Sequence, residues 1–130
     1  MSEYAWSVDS PLEVSAAIEK VTAALAEQGF GVLTRIDAHE VLKKKIGAEI
    51  PPYVILGACN PHFAHQAIEA DPALGILLPC NVVVQAREGG SRVWIARPAG
   101  LFEVVERDDL DALVNAVGQR LEAVVGVMGT

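Results

Sequence analysis

The stretch Tyr53-Val54-Ile55-Leu56-Gly57-Ala58-Cys59-Asn60-Pro61 decides how this chain folds. From Tyr53 to Cys59 it is almost continuously apolar, which predicts a strand buried on both faces or packed at a dimer seam. Asn60-Pro61 then supplies the cap and the first-turn residue of a helix running to about Ala70, where Asp71-Pro72 stops it. A strand thus leads directly into a capped helix, and the same logic extends in both directions.

Upstream, Gly31-Val32-Leu33-Thr34-Arg35-Ile36 predicts a strand. Asp37 and Glu40 form a capping pair that opens a short helix through Val41, Leu42 and Ile46 to Gly47. Ser10-Pro11-Leu12-Glu13 predicts an earlier helix start, with serine as cap and proline in the first turn. Val14, Ile18, Val21 and Leu25 recur at helical spacing, and Gly29 ends that helix near Gln28. Tyr4 to Val8 alternates as a first strand.

Downstream, Asn81 to Arg87 and Arg92 to Arg97 read as strands joined by a hairpin turn at Glu88-Gly89-Gly90-Ser91. Leu74 to Leu78 reads as a short strand or an extended approach. Leu110, Leu113, Val114, Val117, Leu121, Val124, Val125 and Met128 mark one apolar stripe on a last helix. Asp108, Asp109 and Asp111 sit at its start, where capping and the helix dipole account for them. The expected fold is α+β, a single domain over residues 1–130, with a mixed, largely antiparallel sheet and helices packed on one face. A doubly wound parallel sheet is the alternative, but its Gly-rich phosphate turn is absent.

Composition bounds the function. The 130 residues carry a net charge of −7, which argues against a duplex nucleic-acid binder. The basic run Lys43-Lys44-Lys45 closes a helix, where cations suit the dipole. No apolar stretch reaches the roughly twenty residues that span a bilayer, and Met1-Ser2-Glu3-Tyr4 lacks the basic start of a secretory leader, so a cytoplasmic protein with reduced thiols is expected. A mean hydropathy of +0.32 with 52% hydrophobic residues is apolar enough for a homodimer to be expected.

The two cysteines lie in mirrored motifs, Ala58-Cys59-Asn60-Pro61 and Leu78-Pro79-Cys80-Asn81. They are the chain's only soft nucleophiles. Cys59 precedes the expected helix start at Asn60, where backbone N–H groups and the dipole favour a thiolate. His62 follows three residues later. Cys80 opens a strand whose start is expected near the end of Cys59's strand. Four readings stay open. Cys59 and Cys80 act as an attacking and a resolving thiol in redox or sulfur chemistry. Or Cys59, Cys80 and His62, with His65, hold zinc or copper. Or Asn60, Asn81 and His62 orient a small ligand or partner in a non-catalytic dimeric module. Or both cysteines are small buried hydrophobes. His39 is expected to be exposed, and Trp6 and Trp94 to pack on the sheet. No residue pattern names a substrate, so enzyme status stays open.

Gly29-Phe30-Gly31-Val32, the run Tyr53 to Pro61, and Gly75-Ile76-Leu77-Leu78-Pro79-Cys80-Asn81-Val82-Val83-Val84 together resemble the domain of unknown function 302 family of bacterial and archaeal proteins. Cys59, Asn60, Pro61, Pro79, Cys80 and Asn81 all match its pattern. The resemblance implies a TATA-binding-protein-like α+β domain, commonly dimeric, and implies no activity.

Overall fold

The computed structural model describes residues 3–130; Met1 and Ser2, part of the leader reading, lie outside the described residues. The elements run β1 (Ala5–Ser10), α1 (Val14–Glu27), β2 (Gly31–Asp37), α2 (Ala38–Ile46), β3 (Tyr53–Cys59), α3 (Pro61–Ala70), a 3-10 segment (Pro72–Leu77), β4 (Cys80–Arg87), β5 (Gly90–Ala96), α4 (Pro98–Leu101), two short 3-10 pieces and α5 (Asp111–Met128). The strands form one five-stranded sheet in the order β1-β5-β4-β3-β2. Every neighbouring pair is antiparallel, which removes the doubly wound alternative and the parallel part of a mixed sheet. The fold is α+β.

Strand alternation sorts side chains onto two faces. Val54, Leu56 and Ala58 of β3, Val82 and Val84 of β4, and Val93 and Ile95 of β5 are buried on one face. Ala17, Ile18, Val21, Ala24 and Leu25 of α1 cover them, together with Val117, Leu121, Val124 and Met128 of α5. Both helices put an apolar stripe on the sheet, and each fully buried Leu or Val contributes about 2 kcal/mol. The opposite face stays half-exposed at Tyr53, Ile55, Val83 and Trp94. The β3 run is therefore not buried on both faces within one protomer.

Local expectations meet different fates. Asn60 caps α3 as expected: its Oδ1 accepts the N–H groups of His62 at 3.2 Å and Phe63 at 3.3 Å. The start of α1 moves to Val14, because Ser10 ends β1 and its Oγ accepts the Leu12 N–H instead. Asp37 precedes α2 but does not cap it, its carboxylate being held by Arg35. Leu74 to Leu77 is 3-10 helix rather than strand, and only Leu78 is extended. Asp71 caps a 3-10 segment there by accepting the Ala73 N–H at 3.0 Å, and Leu74 is buried with Ala67 and Leu110. Asp109 is clasped by Arg107 rather than capping α5. His39 is half-buried, its Nδ1 accepting the Tyr53 N–H at 3.0 Å, so the expected exposure is corrected. Among the described residues no helix is long and apolar enough to cross a membrane.

Candidate functional site

The antiparallel ladder brings the two cysteine motifs together. Cys80 pairs with Ala58, and Cys59 with Gly31 on the far side, so both thiols sit at one end of the sheet. Both are free; Cys80 is buried and Cys59 half-buried. The Cys80 thiol is pushed up to about 11, first by burial and then by the neighbouring Cys59. Burial disfavours its anion, so at neutral pH Cys80 is a protonated, weakly polar side chain. It is no thiolate.

Cys59, Asn60 and Cys80 line a pocket closed by Phe30, Phe63, Pro98, Phe102 and the α5 residues Leu113, Val114 and Val117. Arg120 of α5 stacks over Phe63, its guanidinium carbon 5.5 Å from the ring centroid. The space is about 40 Å³. One water needs about 10–15 Å³ on the same measure, so only a few atoms fit. Asn60 has already committed its oxygen to the helix N-terminus.

His62 stands exposed on α3 and lines neither this pocket nor the groove described next. His65 is exposed and pairs with Glu69 at 3.1 Å. Among the described residues no three His, Cys, Asp or Glu side chains are grouped to hold a metal ion. The expected combination of Cys59, Cys80 and His62 is not assembled.

Asn81 follows Cys80 by one residue, and alternation sends it to the uncovered face. There it is exposed and lines a groove of about 520 Å³ together with Tyr4, Tyr53, Val83, Trp94, Ala96 and Leu101. The 3-10 segment forms one wall through Ile76 and Leu77, and Ile76 is 88% exposed. Leu78 and Pro79 line both spaces and so form the partition between them. Trp94 is held in place: its Nε1 donates to Gln85 Oε1 at 3.3 Å, and the Arg92 guanidinium lies 5.8 Å from its ring centroid. The lining contains no Asp, Glu, Lys, Arg or His. A broader depression of about 690 Å³ beside α5 includes Glu3, Arg97, Asn115, Gln119 and Glu122, the composition of a solvated surface.

Sequence reasoning missed Tyr53, Val83, Trp94 and the 3-10 wall as site residues. A signal was present. Tyr53 to Leu56 and Val82-Val83-Val84 are apolar on consecutive positions, which puts apolar side chains on both faces of the sheet while the helices cover only one.

The family described as Domain of unknown function DUF302 matches residues 6–127 of the chain. This chain belongs to the DUF302 family. A crystal structure of an uncharacterized conserved protein DUF302 from Bacillus stearothermophilus shares the fold, with a TM-score of 0.90 and 27% identity over 98% of this chain and 99% of that one. No curated protein matches it significantly. Membership in DUF302 fixes the fold and supplies no activity.

Proposed function

We propose that this DUF302 domain is a non-catalytic binding module, that a small, neutral, flat and largely apolar molecule is its ligand, and that the groove on the uncovered sheet face is the site. One observation carries the reading: the volume and lining of that groove. About 520 Å³ falls within the range of roughly 300–1,000 Å³ in which small-molecule sites lie. The cysteine pocket, at about 40 Å³, is far below it. Trp94 and Tyr53 supply aromatic surface, Val83, Leu78 and Pro79 supply apolar walls, and Asn81 offers one amide that can orient the ligand. A charged ligand would lose its hydration with no opposite charge to meet, so the uncharged lining selects neutral molecules.

Both cysteines are structural on this reading. Cys80 packs as a small hydrophobe and Asn60 caps α3. A resolving thiol pushed up to about 11 is almost wholly protonated near neutral pH, which weakens the redox alternative.

Titration calorimetry with 1-naphthol, a neutral bicyclic aromatic, tests the proposal. The expected dissociation constant is roughly 0.1–1 mM for so small a probe. Trp94→Ala should weaken binding about tenfold, the cost of losing an aromatic contact, and Cys80→Ala should leave it unchanged. Binding that survives Trp94→Ala and disappears in Cys80→Ala would return the site to the cysteine pocket.

A further inference from the structure

Asn60 is only 7% exposed, yet half of its hydrogen-bonding capacity is unspent. Its Oδ1 accepts the His62 and Phe63 N–H groups, whereas its Nδ2 meets no acceptor among the described residues. No fully buried side-chain nitrogen or oxygen among them lacks a partner, so Nδ2 is not sealed off. Asn60 lines the cysteine pocket, and that is the space its free donor can reach. An amide N–H taken largely out of water favours an acceptor brought from outside.

Arg120 supplies a second donor at the same place. Its Nη1 donates to the Gln28 carbonyl at 3.2 Å, and its guanidinium lies over Phe63, one wall of the pocket. Arg35, Arg92 and Arg107 each hold an aspartate. Arg120 meets no carboxylate among the described residues. The two donors converge: a β-carbon built on Gly29 would stand 2.9 Å from Asn60 Nδ2 and 3.7 Å from Arg120 Nη1. The ten-residue helix α3 adds the positive end of its dipole, which starts at Asn60. Behind the donors the walls are apolar, formed by Phe30, Phe63, Val114 and Val117. A space of about 40 Å³, at about 10–15 Å³ for one water, holds about three small heavy atoms.

We propose that the cysteine pocket is a second binding site, for a short aliphatic carboxylate whose tail of about three carbons fills the apolar space while Asn60 Nδ2 and the Arg120 guanidinium take its oxygens. One carboxylate accepts from both donors at once, and hydrogen bonds to an ionised acceptor are roughly twice as strong as neutral ones. An alcohol of the same length leaves Arg120 without an anion. Inorganic phosphate brings the charge but no tail to bury. Leu78 and Pro79 divide this pocket from the groove, so the proposal stands or falls independently of 1-naphthol binding.

A two-dimensional ¹⁵N NMR titration of the full chain with sodium butyrate, at constant ionic strength, tests the proposal. Saturable shifts should appear at the Asn60 side-chain amide, the Arg120 Nε–H and the Phe63 backbone, with a dissociation constant of roughly 1–10 mM. Asn60→Asp keeps the capping oxygen and exchanges the donor for an anion. Read at Phe63, it should weaken butyrate more than about tenfold while circular dichroism stays unchanged. Arg120→Gln should weaken it about fivefold. Acetate, two methylenes shorter, should bind about tenfold more weakly than butyrate, and octanoate no more tightly. The absence of a saturable shift by about 50 mM butyrate overturns the proposal. So does wild-type affinity in Asn60→Asp or Arg120→Gln, or an affinity that climbs steadily from butyrate to octanoate.

Discussion

At the residue scale, the cysteines carry the clearest consequence. Their nearness was legible, because one thiol closes an apolar strand and the other opens the next, so antiparallel pairing of the two brings them to the same end of the sheet. The face each thiol occupies was not, since Val82-Val83-Val84 and Val54 to Ala58 are apolar on consecutive positions and so carry no phase that says which residues face the core. Burial fixes the outcome. A thiol raised from 9.0 to about 11 contributes stability that is complete below about pH 9 and fades as pH climbs toward 11. The unfolding free energy from urea titration should therefore fall more steeply over that interval in wild type than in Cys80→Ala, by an amount on the order of 2 kcal/mol. In native protein at neutral pH, iodoacetamide should leave Cys80 unmodified while it labels the same residue in urea. Asp9 shows the opposite sign. Arg92 and Arg87 hold its carboxyl at about 2, so its contribution is present above about pH 4 and disappears as pH falls to 2. Asp9→Asn should flatten the acid limb of the melting-temperature profile. Gly57 is constrained by space alone: a β-carbon there would stand 2.8 Å from Pro79 Cγ and against Thr34 Oγ1. Gly57→Ala should cost about 1–3 kcal/mol of stability in urea unfolding.

At the element scale, strands and long helices were legible from periodicity, and helix starts only where the capping oxygen is free for the task. Asn60 caps because nothing else claims its Oδ1. Ser10, Asp37 and Asp109 fit the same residue preference, but the Leu12 N–H, Arg35 and Arg107 take their oxygens. A one-dimensional pattern cannot weigh those competitors. Asn60→Ala should accordingly lose about 1 kcal/mol, and Asp37→Ala clearly less, when compared by urea midpoints. The 3-10 segment escaped notice for a related reason. Its residues Pro72 to Leu77 lack a helical stripe of their own, and only tertiary packing of Leu74 on Ala67 and Leu110 selects the conformation.

At the scale of the whole molecule, the α+β class followed from the hairpin, whereas the strand order did not. β1 pairs with β5 across most of the chain, a contact no local signal encodes. That pairing places β5 and β4 centrally and sets Trp94 and Val83 side by side on the face that α1 and α5 leave uncovered. The groove thus arises from topology: apolar residues on both faces, helices on one. The most direct test of the groove is a two-dimensional ¹⁵N NMR titration of the labelled chain with 1-naphthol. The account predicts shifts concentrated at the Trp94 indole N–H, the Asn81 side-chain amide and the backbone of Tyr53 and Val83. Shifts gathered instead at Cys59, Phe63, Cys80 and Val117, with Trp94 and Asn81 unmoved, would contradict it.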